Sequence, residues 1–134
     1  MTSTAILIAD DHRQTRDIHE RILKAWNYDV VAAHDLESAI AACRGKTISA
    51  AILDVHMPPG DIGGMEIAEW LMREHDTPAA SILLISGVVE KEVRHIQAEK
   101  GWQFLQKPAR LAQLKAFLDT LDPTETTPAL ETID

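Results

Sequence analysis

Five short, almost continuously apolar runs punctuate the chain at 5–9, 29–33, 50–53, 81–85 and 102–105. Each is followed by a longer stretch in which apolar residues recur every three or four positions, at about 14–26, 36–44, 65–74, 91–100 and 110–121. Short runs with no polar face are what strands look like when helices cover both sides of a parallel sheet. Five strands alternating with five helices predict an α/β fold built on a single doubly wound parallel sheet. The last helix has the plainest pattern. Leu111, Leu114, Leu118 and Leu121 repeat at helical spacing with Phe117 widening the stripe, and Arg110, Gln113, Lys115 and Asp119 form the wet side. In the first helix Ile18, Ile22 and Ala25 or Trp26 are expected to make a comparable stripe, and Trp70 to sit at the edge of the third. Asp35 ahead of Ser38 reads as a helix start, and Thr77-Pro78 as a stop.

With 134 residues, 46% of them hydrophobic, the chain suits one globular domain. That domain is placed at 1–121. Residues 122–134 hold four of the eight net negative charges, with Pro123, Pro128 and several threonines, and read as an acidic tail or linker stub, expected to be disordered. The acidic balance leaves no broad basic footprint, so no direct nucleic-acid binding is expected. No apolar stretch reaches eighteen residues and the first residues lack a signal-peptide pattern, so a cytoplasmic place with no membrane role is expected. The single cysteine, Cys43, excludes a disulfide framework and a cysteine-based zinc site, and reads as a small helix residue.

Candidate chemistry stands at the ends of the apolar runs. The first ends in Asp10-Asp11, the third in Asp54 and the fourth in Ser86, and the fifth is followed by Lys107. In a parallel sheet those ends share one edge, and ligands bind in the crevice outside it. The turn Asp-Asp-His-Arg-Gln lacks the glycines of a nucleotide-binding loop. Three facing carboxylates repel an anion and raise one another's pKa unless a cation neutralises them. A hard ion is therefore implied, and magnesium suits one or two carboxylates with waters and phosphate oxygens better than calcium does. Lys107 then offers fixed positive charge and Ser86 a hydroxyl donor to a phosphoryl group.

Asp10-Asp11, Asp54 with Met57-Pro58 behind it, Ser86-Gly87 and the run from Phe104 to Lys107-Pro108 together resemble the signature of response-regulator receiver domains of two-component signal transduction. The resemblance spans about residues 4–121. It implies a flavodoxin-like (βα)5 receiver fold with strand order 2-1-3-4-5. It implies that Asp54 is the phosphoacceptor, taking a phosphoryl group from a phosphohistidine of a sensor histidine kinase or phosphotransfer protein. Asp11, Asp54 and the backbone carbonyl of His56 would hold Mg2+, and Asp10 would act through water. Lys107 would pair with Asp54 at rest and with the phosphoryl group afterwards, Ser86 would swing to a phosphoryl oxygen, and Phe104 would turn inward behind it. The changed face of the fourth helix, fifth strand and fifth helix would control a downstream protein or output domain, with a homodimer as a further candidate. The Lys107-Pro108 bond is implied to be cis. Such a chain is a phosphorylation-dependent switch and not an enzyme, although it assists its own phosphorylation and dephosphorylation.

Each residue also has a plainer reading. Asp11 alone suits a helix N-cap, Ser86-Gly87 a turn, Lys107 a solvent-facing turn, Phe104 core packing and His56 a solvated loop, its alternative being a ring turned to the phosphoryl site. Asp54 has the least comfortable plain reading, because a carboxylate at the end of a central strand is costly unless paired. Two departures from the family pattern stand out. The segment 59–63 is about two residues longer than usual, so that Asp61 could reach the site as an extra acidic group, and the link through Lys100-Gly101-Trp102 is about one residue shorter. The competing functions are a phosphorylation-independent scaffold with the same fold and an Asp-nucleophile metal phosphatase. The second lacks its Asp-x-Asp pair.

Overall fold

The computed structural model describes residues 3–57, 62–87 and 90–121. Among the described residues strands and α-helices alternate, with one short 3-10 turn (Ala79–Ser81) before β4: β1 (Ser3–Ala9), α1 (Arg13–Ala25), β2 (Val30–Ala33), α2 (Leu36–Cys43), β3 (Lys46–Asp54), α3 (Gly63–Glu74), β4 (Ile82–Ser86), α4 (Lys91–Lys100), β5 (Gln103–Gln106) and α5 (Leu111–Leu121). The strands form one parallel sheet in the order β2-β1-β3-β4-β5. The expected fold and order are therefore found. The tail at 122–134 and residues 58–61 of the long loop, Asp61 included, lie outside the described residues.

Two cores follow from the period of two along each strand. Leu7, Ala9, Ala51, Leu53, Ile82 and Leu84 face the side covered by α2, α3 and α4, where Ala39, Cys43, Ile67, Leu71 and Val93 meet them. Ile6, Ile8, Ala50, Ile52, Leu83 and Ile85 face the other side, closed by Leu23 of α1 and by Leu114, Phe117 and Leu118 of α5. Cys43 is fully covered, and burial pushes its thiol up to about 11.

Three local features depart from the sequence expectations. β3 begins at Lys46, four residues before the apolar run, because Lys46, Thr47 and Ile48 continue the pairing with β1 and a bulge at Ser49 absorbs a shift in register between Ala5 and Ile6. A hydrophobic pattern does not show polar residues held by backbone pairing alone. On α1 and α5 the stripes lie rotated from the expected ones, since Ile18 and Leu111 are half exposed while Leu23 is fully buried. Thr77 does more than stop a helix: it is buried, and its hydroxyl donates to the carbonyl of Ile48 at 2.8 Å, tying the loop after α3 onto β3.

The punctuation at Asp35 is a full capping box, with Asp35 Oδ1 accepting from the Ser38 N–H at 2.8 Å and Ser38 Oγ accepting from the Asp35 N–H at 3.1 Å. At the other end of the sheet, α4 closes on Gly101 in the left-handed region (φ 82°), as a C-terminal cap that only glycine takes without strain. The next residue, Trp102, is buried before β5 and donates its indole N–H to Met72 Sδ at 3.2 Å. Trp70 is half-buried at the edge of its core, edge-on to the His75 ring. No helix among the described residues is long and apolar enough to cross a membrane.

Candidate functional site

The register of the sheet assembles the site. Ala9 pairs with Leu53 and Asp54 with Ile85, so Asp10 and Asp11, leaving β1, come level with the last residue of β3 and the end of β4. Ser86 pairs with Gln106, and the N–H of Lys107 donates to the Ser86 carbonyl at 2.8 Å, which brings the lysine back to the same edge. The Lys107–Pro108 bond is cis.

Four side chains converge there. One ligand atom from each of Asp10, Asp11, His12 and Asp54 lies within 4.8 Å of all the others. Asp10 and Asp54 are buried, each 4% exposed, whereas Asp11 and His12 face solvent. Asp10 is fixed from two directions: Oδ1 accepts from the His12 N–H at 2.8 Å, and its backbone carbonyl accepts from Arg16 Nη1 at 2.8 Å. The His12 ring stands 3.5 Å from Asp10 Oδ1 and 3.3 Å from Asp11 Oδ1. Asp11 is not a helix cap, because the N-cap position of α1 is His12.

Asp54 meets Lys107 Nζ at 3.2 Å through Oδ2 and accepts the His56 N–H at 3.2 Å through Oδ1. Burial raises its pKa above the ordinary carboxylate value and Asp10 adds to the rise, while Lys107 and the His56 N–H pull against it. Three carboxylates this close favour a cation between them, and a set of carboxylate oxygens with one exposed imidazole suits a hard divalent ion better than zinc.

Gly64 lets α3 press against this strand end. Its N–H donates to the Val55 carbonyl at 3.2 Å, and a Cβ built there would stand 2.1 Å from the Asp54 carbonyl oxygen. No side chain other than hydrogen fits.

Ser86 is fully buried, and its Oγ lies 3.0 Å from His56 Nε2. His56 is therefore not the solvated loop histidine expected. Its side chain is 23% exposed and its Nε2 also stands 3.2 Å from Glu90 Oε1, ahead of α4. Phe104 is half-buried on β5, with the Arg94 guanidinium 4.5 Å from its ring centroid.

Three residues at the site, His12, Thr15 and His19, escaped the sequence reading. His12 directly follows the aspartate pair, which was the available signal. His19 and Thr15 line, with Asp10, Asp54 and Lys107, a cavity of about 400 Å3 that runs from the site between α1 and the loop after β5. Burial lowers the His19 pKa, partly offset by Asp10. Only the true phase of α1 reveals His19, and the exposed Ile18 had suggested a different one.

The family model for the response regulator receiver domain matches residues 6–119. The sensory/regulatory protein RpfC of Xanthomonas campestris pv. campestris (strain 8004) is 29% identical over 122 residues, covering 89% of this chain and 16% of its own length. The probable transcriptional regulator ycf27 of Porphyridium aerugineum is 31% identical over 91 residues, 68% of this chain and 37% of that protein. The chain thus spans well under half the length of these curated relatives. Among solved structures, a two-component response regulator from Clostridium difficile superposes with a TM-score of 0.78 at 18% identity, over 92% of this chain and 98% of the other. Vibrio cholerae chemotaxis protein CheY4 superposes with 0.74 at 23%, over 90% and 99%. At such identities the structures speak for the fold.

Proposed function

Because the chain belongs to the response regulator receiver domain family, we propose that it is a phosphorylation-dependent switch in which Asp54 takes a phosphoryl group from a phosphohistidine of a sensor histidine kinase or phosphotransfer protein. The observation that carries this reading is the state of Asp54, a buried carboxylate held between Lys107 and the acidic pair at the end of the central strand.

A carboxylate oxygen of Asp54 attacks phosphorus as the bond from phosphorus to the imidazole nitrogen breaks. The imidazole leaves with the electron pair and takes up a proton, and an acyl phosphate remains on Asp54. Phosphoryl transfer runs through a loose transition state with charge on the equatorial oxygens, so positioning and electrostatics do most of the work. The Asp54 carboxylate is aimed by the His56 N–H on Oδ1. Lys107, already at Oδ2, shifts its charge to the incoming phosphoryl oxygens, and the Ser86 hydroxyl donates to one of them after turning from His56. Asp11, Asp54 and the His56 carbonyl would hold Mg2+, with Asp10 acting through water. When bound, the ion offsets the charge of carboxylates and phosphoryl oxygens together. Hydrolysis of the acyl phosphate by water returns the carboxylate.

Phe104 and the surface of α4, β5 and α5 then carry the change to a downstream protein or output domain, through an element with two arrangements that phosphorylation biases. The reading places the chain in the cytoplasm as a signalling domain rather than an enzyme with a small substrate. The experiment is incubation with acetyl phosphate, with and without Mg2+, followed by intact mass. Wild type should gain one base-labile phosphoryl group only with Mg2+, and Asp54→Asn none. Equal labelling of both proteins, or of neither, overturns the proposal.

A further inference from the structure

Two residues one helical turn apart at the start of α4 reach two groups that belong to the response. Glu90 precedes the helix and its carbonyl accepts the Arg94 N–H at 2.9 Å, which ties the two residues through the first turn. Glu90 Oε1 lies 3.2 Å from His56 Nε2, which lies 3.0 Å from Ser86 Oγ. Nε2 thus faces the Glu90 carboxylate and the Ser86 hydroxyl together, and its hydrogen bond with Oγ holds the hydroxyl on the His56 side of the site. Arg94 meanwhile covers the Phe104 ring at 4.5 Å and is steadied by Gln97, whose Oε1 accepts from Arg94 Nε at 3.0 Å.

We infer that Glu90 and Arg94 form a two-point clamp that holds Ser86, through His56, and Phe104 in their resting positions. The inference rests on the phosphoacceptor reading above and adds which contacts oppose it. For Ser86 to reach a phosphoryl oxygen, its hydrogen bond with His56 Nε2 must open. For Phe104 to turn inward, its ring must leave the Arg94 guanidinium. Both changes release the first turn of α4, so this turn is the first place outside the site where phosphorylation is felt. Glu90 and Arg94 are positioning residues: neither is among the residues that would hold metal or phosphoryl group, and each acts by weighting a resting arrangement against an active one.

The test uses the full chain and beryllium fluoride with magnesium, a non-transferable mimic of the phosphoryl group, titrated by calorimetry. Glu90→Ala and Arg94→Ala should each lower the half-saturating beryllium fluoride concentration by roughly two- to tenfold, the range expected for one ionic or cation–π contact. Affinity for magnesium alone should not move. Glu90→Gln keeps a side-chain oxygen opposite His56 Nε2 and should restore most of the wild-type value. Lys91→Ala, an exposed change in the same turn, should match wild type, separating the clamp from a general loosening of α4. Unchanged or weaker binding in either alanine variant, or an equal shift in Lys91→Ala, overturns the clamp. A wild type that does not bind beryllium fluoride overturns the phosphoacceptor reading and the clamp with it, whereas normal wild-type binding with no variant effect overturns the clamp alone.

Discussion

Lys107 Nζ stands 3.2 Å from Asp54 Oδ2, although the two residues are 53 positions apart and leave the sheet on strands separated by β4. One cation thus meets a strand-end carboxylate whose burial favours its neutral form. On the proposed mechanism, Lys107→Ala removes the charge that would shift to the phosphoryl oxygens. Phosphoryl uptake from acetyl phosphate, followed by mass against time, should slow by roughly 10²- to 10³-fold, the usual loss for one preorganised charge-stabilising group. A rate within threefold of wild type would remove Lys107 from the mechanism.

The raised pKa of Asp54 has a consequence for stability. A carboxylate whose folded pKa lies above its unfolded value binds more protons in the folded state, so stability falls as pH rises between the two values. The penalty is complete above the folded pKa and absent below the ordinary value. In metal-free buffer, Asp54→Asn should therefore melt higher than wild type at neutral pH, and the two curves should converge on acidification. A gap that grows with falling pH would contradict the sign.

Magnesium held by Asp11 and Asp54 would offset the charge gathered at this strand end. At ten times its dissociation constant it should stabilise the wild type by about 1.4 kcal/mol, measured as a shift in the urea transition and reversed by chelation. Asp11 is exposed, so Asp11→Asn should fold normally yet lose most of this increment.

Gly64→Ala places a methyl group against the Asp54 carbonyl. The helix must back away, at a cost of roughly 1–3 kcal/mol from forced backbone movement. Chemical denaturation gives the stability, and weaker magnesium binding would report that the strand end has moved as well.

Thr77→Val keeps the shape but deletes the donor to the Ile48 carbonyl, leaving a buried acceptor without that bond. The expected loss is about 1–3 kcal/mol. Thr77→Ser should recover most of it, and equal losses in both variants would point to packing instead.

The expected architecture was legible because strands covered on both faces leave a continuous apolar signature, and the five runs found it. The start of β3 was not legible, since Lys46 and Thr47 belong to the sheet through backbone pairing that leaves no mark on side-chain polarity. Asp10, Asp54, Ser86 and Lys107 were legible as residues at strand ends, for in a parallel sheet those ends share an edge. What lay hidden was rotation about helix axes. Ile18 fitted an apolar stripe that α1 does not bury, and this concealed His19. His56 was misread for a related reason: its partners Ser86 and Glu90 come from a strand and a helix thirty or more positions away, and no local pattern encodes that meeting.

Cys43, the chain's single sulfhydryl, ends α2 on its core-facing side with no access to solvent, and burial pushes its thiol up to about 11. At neutral pH only about one molecule in ten thousand carries the reactive thiolate there. The native protein should therefore label only slowly with maleimides and alkylating reagents. A cysteine introduced at an exposed position, such as Lys91, would be the sole attachment point for a fluorophore or spin probe. Movement of that helix turn could then be followed in solution without first redesigning the interior.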